Sequence, residues 1–355
     1  CLVFRGSSTV TGTLSFGTGG TICLINDGNT DLGLNSSSNA VNSAVTYENL
    51  SGSTLVMGGS DYFYSSGGRA DVDDLLINRG GALIRKAGTG TAYIYFPYSG
   101  TGQIDVEEGG LSFTTSEIRS GTFNAAVADN ASLVFNDSEL NANTMNIDLA
   151  PDASMTFTTV TLGDAVNPVE LINTGSGMIT INSIDGPGTL ALDGDNTVAF
   201  GNSVVLDAHI INRGVVQNSS GYFDGRNGTG TWTNAPGSVL RLAGTYPFYN
   251  SLADDQDDTV VNEAGATIHK VSSGTTSIYW SYDGSGNLDV DQGTLQFTGS
   301  RIMSETITAD VADSAALDYT NGTAIESDRI DVNLEPGATL RLSGVSLENP
   351  GGAVE

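Results

Sequence analysis

The chain has 355 residues, room for two average domains or one elongated one, and sets 41 acidic residues against 13 basic ones, a net charge of −28. So acidic a surface repels phosphate backbones and anionic headgroups, which excludes nucleic acid and membrane surfaces as expected partners. Forty-six glycines among many Ser, Thr, Asn and Asp residues, with only 8 prolines, predict a folded chain of short strands and dense turns with little helix.

Segment 1–9, "CLVFRGSST", reads as the tail of a preceding unit rather than as a polar tether. Cys1 and Cys23 are the only cysteines, too few for a metal cluster or a disulfide framework. Cys23 lies inside the apolar run "TICLIN" and is expected to be a buried thiol. "NDGNTD" (26–31) spaces oxygen donors as a weak cation loop does. No stretch reads as a signal peptide or a transmembrane helix, so no membrane insertion is expected.

The next segments recur later in the chain. "GSTLVMGGSDYFY" (52–64) pairs with "GSVLRLAGTYPFY" (237–249). "NRGGALIRKAGTGTAYIYFPYSGTGQIDVEEGGLSFT" (78–114) matches "NEAGATIHKVSSGTTSIYWSYDGSGNLDVDQGTLQFT" (262–298) at a constant offset of 184, with about half of the positions identical. "LAPDASMTFTTVTL" (149–162) pairs with "LEPGATLRLSGVSL" (334–347). One unit therefore occurs twice, over 10–185 and 186–355. The ends read as cut or open, which leads us to expect a fragment of a longer array or a subunit that stacks end to end.

Within a unit, strand signals such as "QIDV" (103–106), "LSF" (111–113), "SLVF" (132–135) and "MNIDL" (145–149) alternate apolar and polar residues between Gly, Asn and Asp turns. Strands so short and so closely spaced predict an all-β fold, a right-handed parallel β-helix (β-solenoid) with coils of roughly 20–25 residues. Tandem β-sandwich domains are the alternative. The pattern of two apolar residues, Asn, any residue and Gly recurs at Asn78, Asn173 and Asn212, and one residue longer at Asn262. These read as corners where Asn and Gly accept left-handed backbone and an Asn can also bond its neighbours in adjacent coils.

The segments "GALIRKAGTGTAYIYFPYSGTGQIDVEEGGLSF" and "GATIHKVSSGTTSIYWSYDGSGNLDVDQGTLQF" resemble the glycine- and threonine-rich repeats of large secreted bacterial surface proteins. They are similar in style to passenger segments of adhesins and autotransporters, which are right-handed parallel β-helices. The resemblance implies a role at the cell surface or in a matrix and brings no catalytic residue with it.

Two constellations stand out as candidate sites. The first is acidic and present in both units: Asp71, Asp73 and Asp74 in "DVDD" correspond to Asp255, Asp257 and Asp258 in "DQDD". Carboxylates spaced this way ahead of a strand could supply oxygen ligands to Ca2+, the one cofactor the sequence suggests. The second is aromatic: Tyr95, Phe96 and Tyr98 correspond to Tyr279, Trp280 and Tyr282. Adjacent strand residues point to opposite faces, so Tyr95 and Phe96 cannot both be core; Trp280 at the place of Phe96 suggests an outer aromatic platform for sugar rings or a partner protein. A pad beneath the neighbouring loop is the structural alternative.

A polysaccharide-degrading β-helix would need paired carboxylates with a basic residue at the sugar. Here the acids are scattered, His209 and His269 occupy unrelated positions, and His269 corresponds to Arg85. Lys86 and Lys270, the only lysines, do correspond, and each is expected to bond turn carbonyls. Seven Asn-x-Ser/Thr sequons, at Asn35, Asn49, Asn130, Asn136, Asn218, Asn227 and Asn321, are expected by chance in so Asn-rich a chain. The sequence thus predicts a non-enzymatic extracellular, cell-surface scaffold: a stalk, fibre or adhesin segment. Its expected partners are like subunits or further repeats of the same chain, with glycans or a neighbouring cell surface as the second class.

Overall fold

In the computed structural model the chain is all-β and winds a parallel β-solenoid of about 12 turns. The described residues are 2–5, 8–10, 14–16, 21–26, 31–34, 38–40, 44–60, 62–65, 74–163, 167–206, 208–218, 223–225, 230–243, 248–250 and 257–348. Parallel pairing removes the tandem-sandwich alternative, whose strands would run antiparallel. No helix among the described residues is long and apolar enough to cross a membrane. The chain divides into two compact units, Cys1–Ile179 and Thr180–Glu355.

In the first unit, strand Leu83–Lys86 lies between Thr54–Met57 and Gln103–Val106, with Ile84 opposite both Leu55 and Ile104. The column continues through Ala125 to Ile147. Successive partners in it stand 20 to 29 residues apart, which is the length of a coil. The period-2 pattern decides the facing. In "LIRK" Ile84 and Lys86 turn inward, while Leu83 and Arg85 stay partly exposed. A second column stacks Phe113, Phe135 and Phe157, with ring centroids 5.5 Å apart at each step. Each buried phenylalanine contributes about 1.5–3 kcal/mol by removing apolar surface from water.

The second unit repeats these devices. Leu240, Ile268, Leu288 and Ala309 form one inner column. Phe223 stacks on Phe248 at 4.3 Å, and Phe297 on Tyr319 at 5.3 Å. Trp232 and Trp280 are both fully buried. One turn shows why glycine recurs. Gly100 and its counterpart Gly284 have φ of 122° and 117°, and a Cβ there would run into the carbonyl of Asn78 or Asn262 one coil away.

Cys23 departs from expectation. Strand Thr21–Asn26 turns Leu24 and Asn26 inward, so the alternation leaves Cys23 only half-buried, and it is disulfide-bonded rather than a free thiol. The other cysteine, Cys1, lies outside the described residues.

Candidate functional site

The duplicated polar residues are mostly inside. In the first unit Asn26, Asn49 and Asn78 are buried and occupy successive coils. Asn26 Nδ2 donates to Asn49 Oδ1 at 2.9 Å, and Asn49 Nδ2 donates to Asn78 Oδ1 at 2.9 Å. The second amide hydrogen of each goes to a strand carbonyl: Thr54, Leu83 and Gln103 in turn. Tyr98 closes the series, its hydroxyl 3.5 Å from Asn78 Nδ2. The second unit builds the same ladder from Asn212, Asn234 and Asn262, at 3.1 and 3.2 Å, ending on Tyr282. Three of the four recurrent asparagines, Asn78, Asn212 and Asn262, therefore bond neighbours in adjacent coils as expected, whereas Asn173 Oδ1 accepts the backbone N–H groups of Leu149 and Gly175. The left-handed angle falls instead on glycines such as Gly81 and Gly265, at 79° and 83°. Asn49 and Asn218, both within sequons, are buried.

Lys86 and Lys270 are also fully buried. Lys86 Nζ donates to the carbonyls of Gly88, at 2.5 Å, and Glu108, at 3.1 Å. Lys270 Nζ donates to the Ser272 carbonyl and, at 2.8 Å, to Ser272 Oγ. Burial draws the Lys270 amine below the ordinary lysine range. These are the turn-carbonyl contacts the sequence suggested.

Of the acidic constellation, Asp74, Asp257 and Asp258 fall among the described residues. Asp74 and Asp258 are buried, and each accepts a backbone N–H from a neighbouring coil, from Val45 at 2.8 Å and from Gly230 at 2.7 Å. Their retained role is to tie coils together, and a buried carboxylate bonded to backbone is not presented to solvent cations. Asp257 is exposed. Asp71, Asp73 and Asp255 lie outside the described residues, as does most of "NDGNTD".

The aromatic constellation is corrected in its facing. Phe96, Tyr98, Trp280 and Tyr282 are no more than 1 % exposed and belong to the core, so they present no platform. Phe96 packs against Phe63, and Trp280 against Phe248, while its indole N–H donates to the Tyr249 carbonyl. The outer partners are Tyr95, which is half-buried, and Tyr279, which is 38 % exposed. In the first unit Tyr95 joins an outer cluster with Tyr93 and with Tyr62 and Tyr64 of the preceding coil. Tyr62 stacks on Tyr93 at 5.1 Å with an interplanar angle of 7°; Tyr93 meets Tyr95 at 6.3 Å and Tyr62 meets Tyr64 at 6.4 Å. Partial burial and the nearby Tyr62 and Tyr93 hydroxyls push the Tyr95 phenol above its ordinary range. The second unit keeps two of these positions, Tyr249 and Tyr279, edge to face at 5.5 Å.

A second outer cluster belongs to the second unit alone. Parallel register lines up Arg241, His269, Asp289, Asp310 and Asn333 as one outward column. His269 Nε2 stands 2.8 Å from Asp291 Oδ2 and 3.6 Å from Asp289 Oδ2. Burial raises the Asp289 carboxyl, His269 opposes that shift, and Asp291 and Asp310 add to it. The matching column of the first unit is Arg85, Asp105, Ala126 and Asp148. There Arg85 lies 3.7 Å from Glu107. The sequence had shown only that His269 corresponds to Arg85; coil length brings the two aspartates to it. His209, the other histidine, meets Thr233 Oγ1 at 2.9 Å, and burial lowers its pKa. Comparison of the chain with family models, with curated proteins and with solved structures finds no match.

Proposed function

We propose that the chain is a non-catalytic structural and adhesive segment of an extracellular, cell-surface repeat protein. The observation that carries this reading is where the duplication keeps its polar residues. Asn78 and Asn262, Lys86 and Lys270, Asp74 and Asp258, and Tyr98 and Tyr282 are all buried; the Asn, Asp and Tyr pairs and Lys86 bond backbone or one another across coils, and Lys270 bonds Ser272 in its own turn. What recurs is mostly the means of holding coils together, as a mechanical scaffold requires. The disulfide at Cys23 suits an oxidising compartment, and the acidic surface suits solubility outside cells. Like subunits or further repeats of the same chain are the partners this role calls for.

Gold-labelled antibody against the chain, applied to intact producing cells, tests the location. Surface label supports the reading, whereas label seen only after permeabilisation overturns it. The outward tyrosines favour a second reading, a carbohydrate-binding adhesin module that stacks sugar rings on Tyr62, Tyr64, Tyr93 and Tyr95. A glycan panel probed with the native chain and with Tyr93→Ala tests it; equal signals, or none, remove it. Release of reducing ends or unsaturated products from acidic polysaccharides would instead establish an enzyme.

A further inference from the structure

We propose that His269, Asp289 and Asp291 form a binding site for a single transition-metal ion of the Zn2+ type, present in the second unit and absent from the corresponding place in the first. One ligand atom from each residue lies within 4.8 Å of the others. Two ligand atoms about 2.0–2.1 Å from a tetrahedral ion stand about 3.3–3.4 Å apart. The observed separations from His269 Nε2, 2.8 and 3.6 Å, bracket that edge. The donor set also selects the metal. An imidazole nitrogen with two carboxylates suits zinc, nickel or copper, whereas Ca2+ takes oxygen ligands throughout.

Strand geometry supports all three positions. His269 and Asp289 are cross-coil partners on rigid parallel strands, and Asp291 follows one residue beyond the end of its strand. Their side chains are 20, 35 and 51 % exposed, so the cluster is open to solvent ions and leaves a coordination position for water. Asp310, next in the column, is held by amide groups of Asn287 and Asn333 at 3.3 and 3.2 Å and adds negative charge behind the ligands.

The first unit supplies an internal control. Asp105 and Glu107 stand where Asp289 and Asp291 do, but the residue facing them is Arg85. The Arg85 guanidinium pairs with Glu107 and cannot ligate a metal; an imidazole can give up its proton and bind one. The exchange of a permanent cation for a ligand, with both acids kept, is what turns an ion-paired column into a metal site.

The test is calorimetric titration of the full chain with zinc, alongside 1H–15N spectra of the two histidine rings. The native chain should bind one equivalent, with the His269 ring shifted and His209 unmoved. His269→Arg, which installs the residue of the first unit, and Asp291→Asn should each weaken binding at least about tenfold, while His209→Ala leaves it unchanged. Absence of binding up to about 1 mM zinc overturns the proposal, as does undiminished binding by His269→Arg. Equal affinity for Ca2+ also overturns it, marking general attraction to an acidic surface. If a variant fails to fold, the native ring shifts decide, since metal held elsewhere leaves the His269 signals in place.

Discussion

Replacing Asn49 by Ala tests the asparagine ladder most directly. The substitution removes three buried contacts: the Asn26 amide to Asn49 Oδ1, and the Asn49 amide to Asn78 Oδ1 and to the Leu83 carbonyl, each at 2.9 Å. A neutral hydrogen bond contributes about 1 kcal/mol net, and a buried polar group left without a partner costs about 1–3 kcal/mol. Asn26 keeps its bond to Thr54 and Asn78 its bond to Gln103, so the loss should be about 3–5 kcal/mol rather than more. The control lies in the same unit: Asn146 donates to Asn124 at 3.0 Å, an amide pair of the same chemistry on the exposed face. Asn146→Ala should cost no more than about 0.5 kcal/mol. Because a solenoid need not unfold as one block, native-state hydrogen exchange at the amides of Leu50 and Arg79, which bond to Asn26 and Asn49 carbonyls, is the suitable assay. Equal changes in the two variants would refute the claim that the ladder, rather than its amide chemistry alone, holds the coils.

Three further outcomes follow from the same geometry. Lys86 and Lys270 should resist amine-reactive reagents in the native chain and react fully once unfolded, read by mass spectrometry; rapid native labelling would contradict their burial. Thiol titration in denaturant without reductant should find no free thiol, and detection of one at Cys23 would contradict its bridge. Burial pushes the Tyr98 and Tyr282 phenols up to about 12, against an ordinary value of 10.0, so the native state holds their protons where the unfolded chain gives them up. Stability should therefore be unaffected by these groups below pH 10 and fall between about pH 10 and 12, by up to about 2.7 kcal/mol for each. A denaturation midpoint that stays flat across that window in the native chain, or falls equally in a Tyr98→Phe/Tyr282→Phe double variant, would refute the assignment.

Much of the fold was legible because a solenoid writes its architecture into repetition. The constant offset between 78–114 and 262–298 revealed the duplication, and alternation in "QIDV" or "TIHK" marked inner and outer faces. Lys86 was readable because a retained lysine in a chain nearly without them needs a buried acceptor set. Facing within the aromatic runs was not readable, since Tyr, Ile and Phe all suit either side of a strand. "YIYFPY" alternates through Tyr93, Ile94 and Tyr95, and then buries Phe96, Pro97 and Tyr98 together as the chain turns a corner. The period-2 rule fails at such corners. Burial of Asp74 and Asp258 was not readable for a different reason: an acidic run looks solvated until one member is seen to accept a backbone N–H inside.

The same alternation separates what the fold can change from what it cannot. An inner side chain touches the coil above and the coil below, so Phe135 cannot change alone without a cavity or a clash against Phe113 and Phe157. An outer side chain meets neighbours only along its own column and water elsewhere. That freedom is visible in the exchanges of Arg85 for His269, Tyr93 for Ser277 and Gln103 for Asn287 between corresponding positions. Recognition chemistry in this chain is therefore to be sought in the outer columns that differ, the four tyrosines of the first unit and the His269 column of the second. The buried ladders common to both units account for why those columns can vary without loss of the fold.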